Sequence, residues 1–135
     1  VAIQEFDFAT GKVLNPNRNQ AIILSASTPD VEMLADELRK LHYKLLGSVD
    51  DIRAALELIG KHKIGVLFLD GDIEGLKATD ILASVLRAYP DFKVVLMTAT
   101  PTKELLLESQ KAGAAGFLAK PLNSDAVAKV MSHIK

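Results

Sequence analysis

Cysteine is absent from this 135-residue chain. That excludes disulfides, thiolate metal sites and cysteine nucleophiles. Tryptophan is absent too, and aromatic residues make up 5% of the sequence, so there is little material for a stacking surface. Neither sign of charge is in excess: 16 basic residues meet 17 acidic ones, for a net charge of −1. With no basic run, direct DNA or RNA binding is not expected. The apolar runs are only about four to six residues long, too short for a membrane span. The first residues are acidic and mixed, unlike the basic-then-apolar order of a secretory signal. These features lead us to expect a cytoplasmic protein.

The chain length suits one ordinary domain. A hydrophobic fraction of 49% and a charged fraction of 24% are those of a globular protein with a real core. From residue 21 onward, short apolar runs alternate with helical periodicity five times. The runs are Ala21–Leu24, Tyr43–Leu46, Val66–Leu69, Val94–Met97 and Gly116–Ala119. Most are apolar throughout, as expected of parallel strands covered by helices on both faces.

Between and after them lie apolar faces with i, i+3, i+4 spacing. Val31, Leu34, Ala35, Leu38 and Leu41 make the first; Ile52, Ala55, Leu56 and Ile59 the second; Ala78, Ile81, Leu82, Val85 and Leu86 the third. Leu105, Leu106, Ser109 and Ala112 make the fourth, and Val127, Val130, Met131 and Ile134 the fifth. All are expected to face the core. Thr28-Pro29 and Thr100-Pro101 read as N-caps followed by proline, and Ser124 as a third cap. Gly60 and Gly113 are expected to stop helices, and Pro90 to end the third.

The expected fold is therefore α/β: a doubly wound (βα)5 unit on a five-stranded parallel sheet, over residues 20–135. Residues 1–19 stand apart. Ile3, Phe6 and Phe8 are spaced like a strand, residues 9–12 read as a turn, and Val13-Leu14 would return. Residues 15–19 read as a linker. Either a partner-binding hairpin or a plain tail satisfies this pattern.

Chemistry in doubly wound sheets gathers at the carboxyl ends of the strands. Asp70 ends the third run, Thr98 the fourth and Lys120 the fifth. A carboxylate, a hydroxyl and an ammonium would then border one small volume. That set suits phosphoryl transfer to a carboxylate: Asp70 would attack phosphorus, Lys120 would neutralise an oxygen, and Thr98 would bind another. Single residues of these types more often cap turns or sit on the surface; three at successive strand ends are harder to dismiss. The histidines His42, His62 and His133 share no ligand spacing and are read as surface or helix-end residues.

Over residues 21–135 the sequence resembles the receiver domains of response regulators. The resemblance rests on Leu67-Phe68-Leu69-Asp70, Met97-Thr98-Ala99, Lys111-Ala112-Gly113-Ala114 before Phe117, and Lys120-Pro121. It implies strand order 2-1-3-4-5; a family member is among the standard examples of that order. It also implies two-component or phosphorelay signalling of the bacterial type, in which the domain is no enzyme beyond accepting phosphate from a donor. Asp70 would be the phospho-acceptor, Thr98 and Phe117 the switch pair, and Lys120 the partner lysine. A sensor histidine kinase or phosphotransfer protein would be the upstream partner. An attached or separate output domain would lie downstream. The fourth helix, fifth strand and fifth helix would form the contact or homodimer face, where Leu107 is an outward apolar residue.

The sequence departs from that pattern at the metal site. Family members usually carry an acidic pair after the first strand, which helps to hold Mg²⁺. Here Ala26 and Ser27 stand in its place, within Ser25-Ala26-Ser27-Thr28. Asp70 would remain as a ligand, with Asp72 (backbone or side chain) and Glu74 as candidate replacements. The usual Met-Pro after the aspartate is Ile73-Glu74. With fewer carboxylates, Asp70 and Lys120 are expected to pair without metal, which opens the alternative of a phosphate-independent pseudo-receiver. Two further readings remain. Asp70-Gly71-Asp72 resembles the nucleophile motif of haloacid-dehalogenase-type phosphatases, and Ser25–Thr28 offers hydroxyls where a flavodoxin-like protein would hold FMN phosphate.

Overall fold

The computed structural model describes residues 6–7, 12–13 and 19–134. Two short strands, β1 (Phe6–Asp7) and β2 (Lys12–Val13), pair antiparallel, Phe6 opposite Val13. The other residues expected in the hairpin, residues 3, 8–11 and 14, and the linker residues 15–18 lie outside the described ones.

Five parallel strands follow: β3 (Gln20–Leu24), β4 (Lys44–Val49), β5 (Gly65–Asp70), β6 (Phe92–Thr98) and β7 (Gly116–Ala119). Five helices follow them in turn: α1 (Thr28–Lys40), α2 (Ile52–His62), α3 (Ala78–Ala88), α4 (Lys103–Ala112) and α5 (Ser124–His133). The sheet order is β4-β3-β5-β6-β7, which is the expected 2-1-3-4-5 when only these five strands are counted. The chain steps outward from β3 to β4, then returns across β3 to β5. The reversal places the switch point between β3 and β5, and the site lies at that edge of the sheet.

The period of two along each strand sends alternate side chains to opposite faces. Ala21, Ile23, Val66, Phe68, Val95 and Met97 face one way and pack with Leu34 and Leu38 of α1 and Val127 and Met131 of α5. Ile22, Leu24, Leu67, Leu69, Val94 and Leu96 face the other way, toward Ala55 and Ile59 of α2 and Leu82 and Val85 of α3. Both halves of each central strand are therefore buried, which explains their uninterrupted apolar sequence.

Several expected boundaries move. The N-cap of α1 is Ser27, with Pro29 in the first turn. Thr100 does not cap α4; Thr102 does, and its hydroxyl accepts the Leu105 amide at 3.0 Å. Asn123 caps α5, accepting the Ala126 amide, and Ser124 is the first helical residue. Gly113 ends α4 as expected, at φ 101°, where a side chain would be strained. Gly60 does not end α2. The helix continues to His62 and stops at Lys63, while a Cβ on Gly60 would stand 2.9 Å from the Tyr89 hydroxyl. Close approach, not termination, is why glycine suits that position.

Two expected core residues face solvent: Leu56 is 41% exposed and Leu106 38%. Leu58 takes the inward role on α2, its Cδ1 filling the space beside Gly47. Conversely, Glu37 is buried on α1 and accepts a hydrogen bond from the Ser124 hydroxyl, with Lys40 at 3.6 Å. That polar contact joins α1 to α5. No helix among the described residues is long and apolar enough to cross a membrane.

Candidate functional site

The carboxyl ends of four strands meet around Asp70. It is the last residue of β5 and is only 2% exposed. A carboxylate buried this deeply is costly unless its oxygens are hydrogen-bonded. They are. Lys120, immediately after β7, donates to both Asp70 oxygens at 2.9 Å. Ser25, immediately after β3, donates its hydroxyl to Oδ2 at 2.6 Å. The Asp72 amide donates to Oδ1 at 2.9 Å. Each oxygen of Asp70 thus accepts two hydrogen bonds. The Lys120–Pro121 peptide bond is cis.

Thr98, at the end of β6, does not touch Asp70. Its hydroxyl donates to Asp72 Oδ1 at 2.7 Å, while the Ala99 amide donates to Asp72 Oδ2 at 2.7 Å. The expected trio is therefore drawn to one edge but joined in two steps: Lys120 binds Asp70 directly, and Thr98 reaches it through Asp72. Phe117, on β7, is half-buried against the cluster that contains Leu96. Glu74 is exposed and takes no part in these contacts.

Lys120 has a wider circle than the sequence suggests. Its Nζ lies 3.1 Å from Asp30 Oδ2 and 3.3 Å from Asp72 Oδ2, in addition to Asp70. Losing the acidic pair has therefore not thinned the negative charge here, because Asp30 supplies a third carboxylate from the first turn of α1. Sequence reasoning missed Asp30 and the Ser25–Asp70 bond. Asp30 was legible in principle: a residue just after the N-cap of α1 must sit beside the carboxyl end of β3.

The ionisation of the cluster follows from these partners. Burial works against charge on Asp72, but the Thr98 hydroxyl, the Ala99 amide and Lys120 outweigh it and hold its carboxyl below the ordinary value. Burial also works against charge on Lys120. Hydrogen bonds to Asp70 and Asp30, with the charge of Asp70 and a hydrogen bond to Asp72, raise its pKa above the ordinary value. Asp72, with its depressed pKa, contributes stability that is full above its unfolded value of 3.8 and is lost as pH falls through the folded value. Lys120, with its raised pKa, contributes stability that is full below 10.5 and is lost as pH rises through the folded value. The contribution of Asp72 and Lys120 is therefore flat between roughly pH 5 and 9. Urea midpoints measured across pH should fall on the acid side, with a shallower fall in Asp72→Asn. Equal acid limbs would show that Asp72 is not held in this way.

The donor set does not fit a Mg²⁺ ion. Such an ion needs open oxygen lone pairs, usually with carboxylates among them. Ala26 and Ser27 offer no carboxylate, both Asp70 oxygens are committed, and the Asp72 side chain already binds Thr98, Ala99 and Lys120. Among the described residues no group of three or more His, Cys, Asp or Glu is arranged to hold a metal.

The profile of the response regulator receiver domain matches residues 27–132. The chain belongs to the response regulator receiver family. This receiver is 24% identical over 102 residues to the chemotaxis protein CheY of Thermotoga maritima, covering 76% of the chain and 85% of that protein. It is 26% identical over 93 residues to the transcriptional regulatory protein CitT of Bacillus subtilis, covering 69% of the chain but only 41% of that longer protein. A solved response regulator from Burkholderia pseudomallei, with a phosphorylated aspartic acid, calcium ion and citrate, superposes with a TM-score of 0.73 at 20% identity, covering 86% of this chain and 66% of that one. The receiver is thus a two-component regulatory module, and neither the phosphatase nor the flavodoxin reading gains support from these likenesses.

Proposed function

We propose that residues 20–135 work as the cytoplasmic receiver of a two-component or phosphorelay pathway, with residues 1–19 as an extension. It acts through protein contact rather than enzymatic turnover. Asp70 is its phosphoryl-acceptor position, with a histidine kinase or phosphotransfer protein upstream and an attached or separate output domain downstream. The observation that carries this reading is Asp70 itself, at the end of the central strand and bound at 2.9 Å by a lysine from the end of β7. The Burkholderia relative, with its phosphorylated aspartate, supports it. On phosphorylation, Lys120 would follow the new oxygens and Thr98 would leave Asp72 for the phosphoryl group. Phe117, on the neighbouring strand β7, would follow Thr98. The α4–β7–α5 side is the proposed contact or homodimer face, and Leu106 and Leu107, 38% and 45% exposed, lie on it.

One observation favours a phosphate-independent variant of this reading. Each Asp70 oxygen already accepts two hydrogen bonds, and a nucleophile must free a lone pair before attack. Acetyl phosphate separates the two. The intact mass of the chain is measured after incubation with and without Mg²⁺, beside Asp70→Asn. Gain of one phosphoryl group in the wild type alone is the expected result for an acceptor. No adduct on the folded protein would leave a receiver that works by contact only.

A further inference from the structure

The cluster around Asp70 carries its own cation. Four carboxylate oxygens from three residues lie within 3.3 Å of one ammonium: both from Asp70 and one each from Asp30 and Asp72. The Lys120 side chain is only 12% exposed, so water competes little for that ammonium. Its hydrogen-bonding capacity is filled by these oxygens.

We propose that Lys120, positioned by Asp30, stands permanently where the cluster would otherwise need a divalent cation, so that the site is assembled without metal. This rests on the reading of the chain as a receiver, but it concerns how the resting site is held, not whether it accepts phosphate. Three observations carry it. First, the loop after β3 has no carboxylate until Asp30, and Asp30 reaches the lysine. Second, the oxygens left over by Lys120 are engaged by neutral donors: Ser25 and the Asp72 amide on Asp70, Thr98 and the Ala99 amide on Asp72. Third, Asp30 comes from α1, whereas Asp70 and Asp72 come from the β5 end. The ammonium is therefore pulled between two elements instead of lying against Asp70 alone. A hard divalent ion would have to expel Lys120 before finding an open lone pair on Asp70, whose two oxygens each already accept two hydrogen bonds.

The experiment titrates the ¹⁵N-labelled 135-residue chain with Mn²⁺ and follows paramagnetic broadening at residues 70–72 and 99. The wild type should show no saturable broadening there. Lys120→Gln, with the carboxylates left uncompensated, should bind Mn²⁺ at least about tenfold more tightly. Saturable broadening of the wild type at Asp70, or equal affinities in the two proteins, overturns the proposal.

Should Lys120→Gln lose its dispersed spectrum, Asp30→Asn decides instead. The Lys120 ammonium signal should exchange with water at least about tenfold faster in Asp30→Asn than in the wild type, and Asp30→Glu should restore slow exchange. An unchanged ammonium signal in Asp30→Asn overturns the positioning role. No phosphodonor is present, so a failure to accept phosphate leaves these outcomes untouched.

Discussion

Lys120→Met is expected to lower the stability of the domain by about 3–5 kcal/mol, the usual cost of removing one partner of a buried ion pair. The cost arises chiefly in what stays behind. Asp70 is 2% exposed and would keep hydrogen bonds from Ser25 and the Asp72 amide, but no positive charge. Asp30 and Asp72 would lose the ammonium that separates them from Asp70. The double variant Asp70→Asn/Lys120→Met removes the stranded charge as well, and should recover much of the loss. Methionine preserves most of the lysine stem, so the cycle isolates charge from packing. Urea unfolding supplies the measurement, with midpoints compared at constant slope. A single-variant loss below about 1 kcal/mol, the ordinary worth of an exposed pair, would mean that water reaches Asp70 and the cluster is far looser than its distances imply.

The same cluster shows how far a sequence can be read. Asp70, Thr98 and Lys120 were legible because each ends an apolar run, and a parallel sheet sends all such ends to one edge. Their pairing was not legible. Thr98 stands beside Asp72 rather than Asp70, and strand-end position alone fixes side-chain partners no better than that. Ser25 was read as part of a stretch that lacks the usual acidic pair, or as a hydroxyl for an FMN phosphate, yet it donates its hydroxyl to a lone pair of Asp70. Asp30 lay hidden because a helix-start aspartate is ordinarily explained by the helix dipole.

The helices carry a parallel lesson. Periodicity placed Ala55 and Ile59 correctly, but gave Leu56 to the core and left Leu58 off the apolar face. The two lie within one turn of each other, and a small rotation of α2 exchanges them. On α4, Leu105 was placed inward and Leu107 outward correctly, but Leu106, given to the core beside Leu105, faces solvent. Buried Glu37 ran against every hydrophobicity rule. Its contacts with Ser124, 87 residues on, and with Lys40 explain why a carboxylate is tolerated between α1 and α5.

Phe68→Ala should cost about 3–5 kcal/mol, as for other fully buried aromatic truncations, and the damage should reach the site. Phe68 is fully buried on the central strand β5, with strands paired on both sides of it: Ile23 on β3 and Val95 on β6 are its register partners. Such a position has little freedom to collapse, because the backbone is fixed by two ladders and the opposite face is filled by Leu67 and Leu69. The cavity would open among Ile23, Met97 and Leu118, under α1 and α5. Phe68 is also two residues before Asp70, so both side chains project to the same side of the sheet. Loss of the ring removes packing beneath the strand end that carries the carboxylate. Chemical denaturation would measure the stability loss, and amide shifts at residues 70–72 would report the site. A loss under about 1.5 kcal/mol, the range of volume-conserving swaps, would show that α1 and α5 close over the gap. Shifts confined to the core, with residues 70–72 unmoved, would show that the hydrogen bonds from Lys120, Ser25 and Asp72 hold Asp70 in place without help from the packing below.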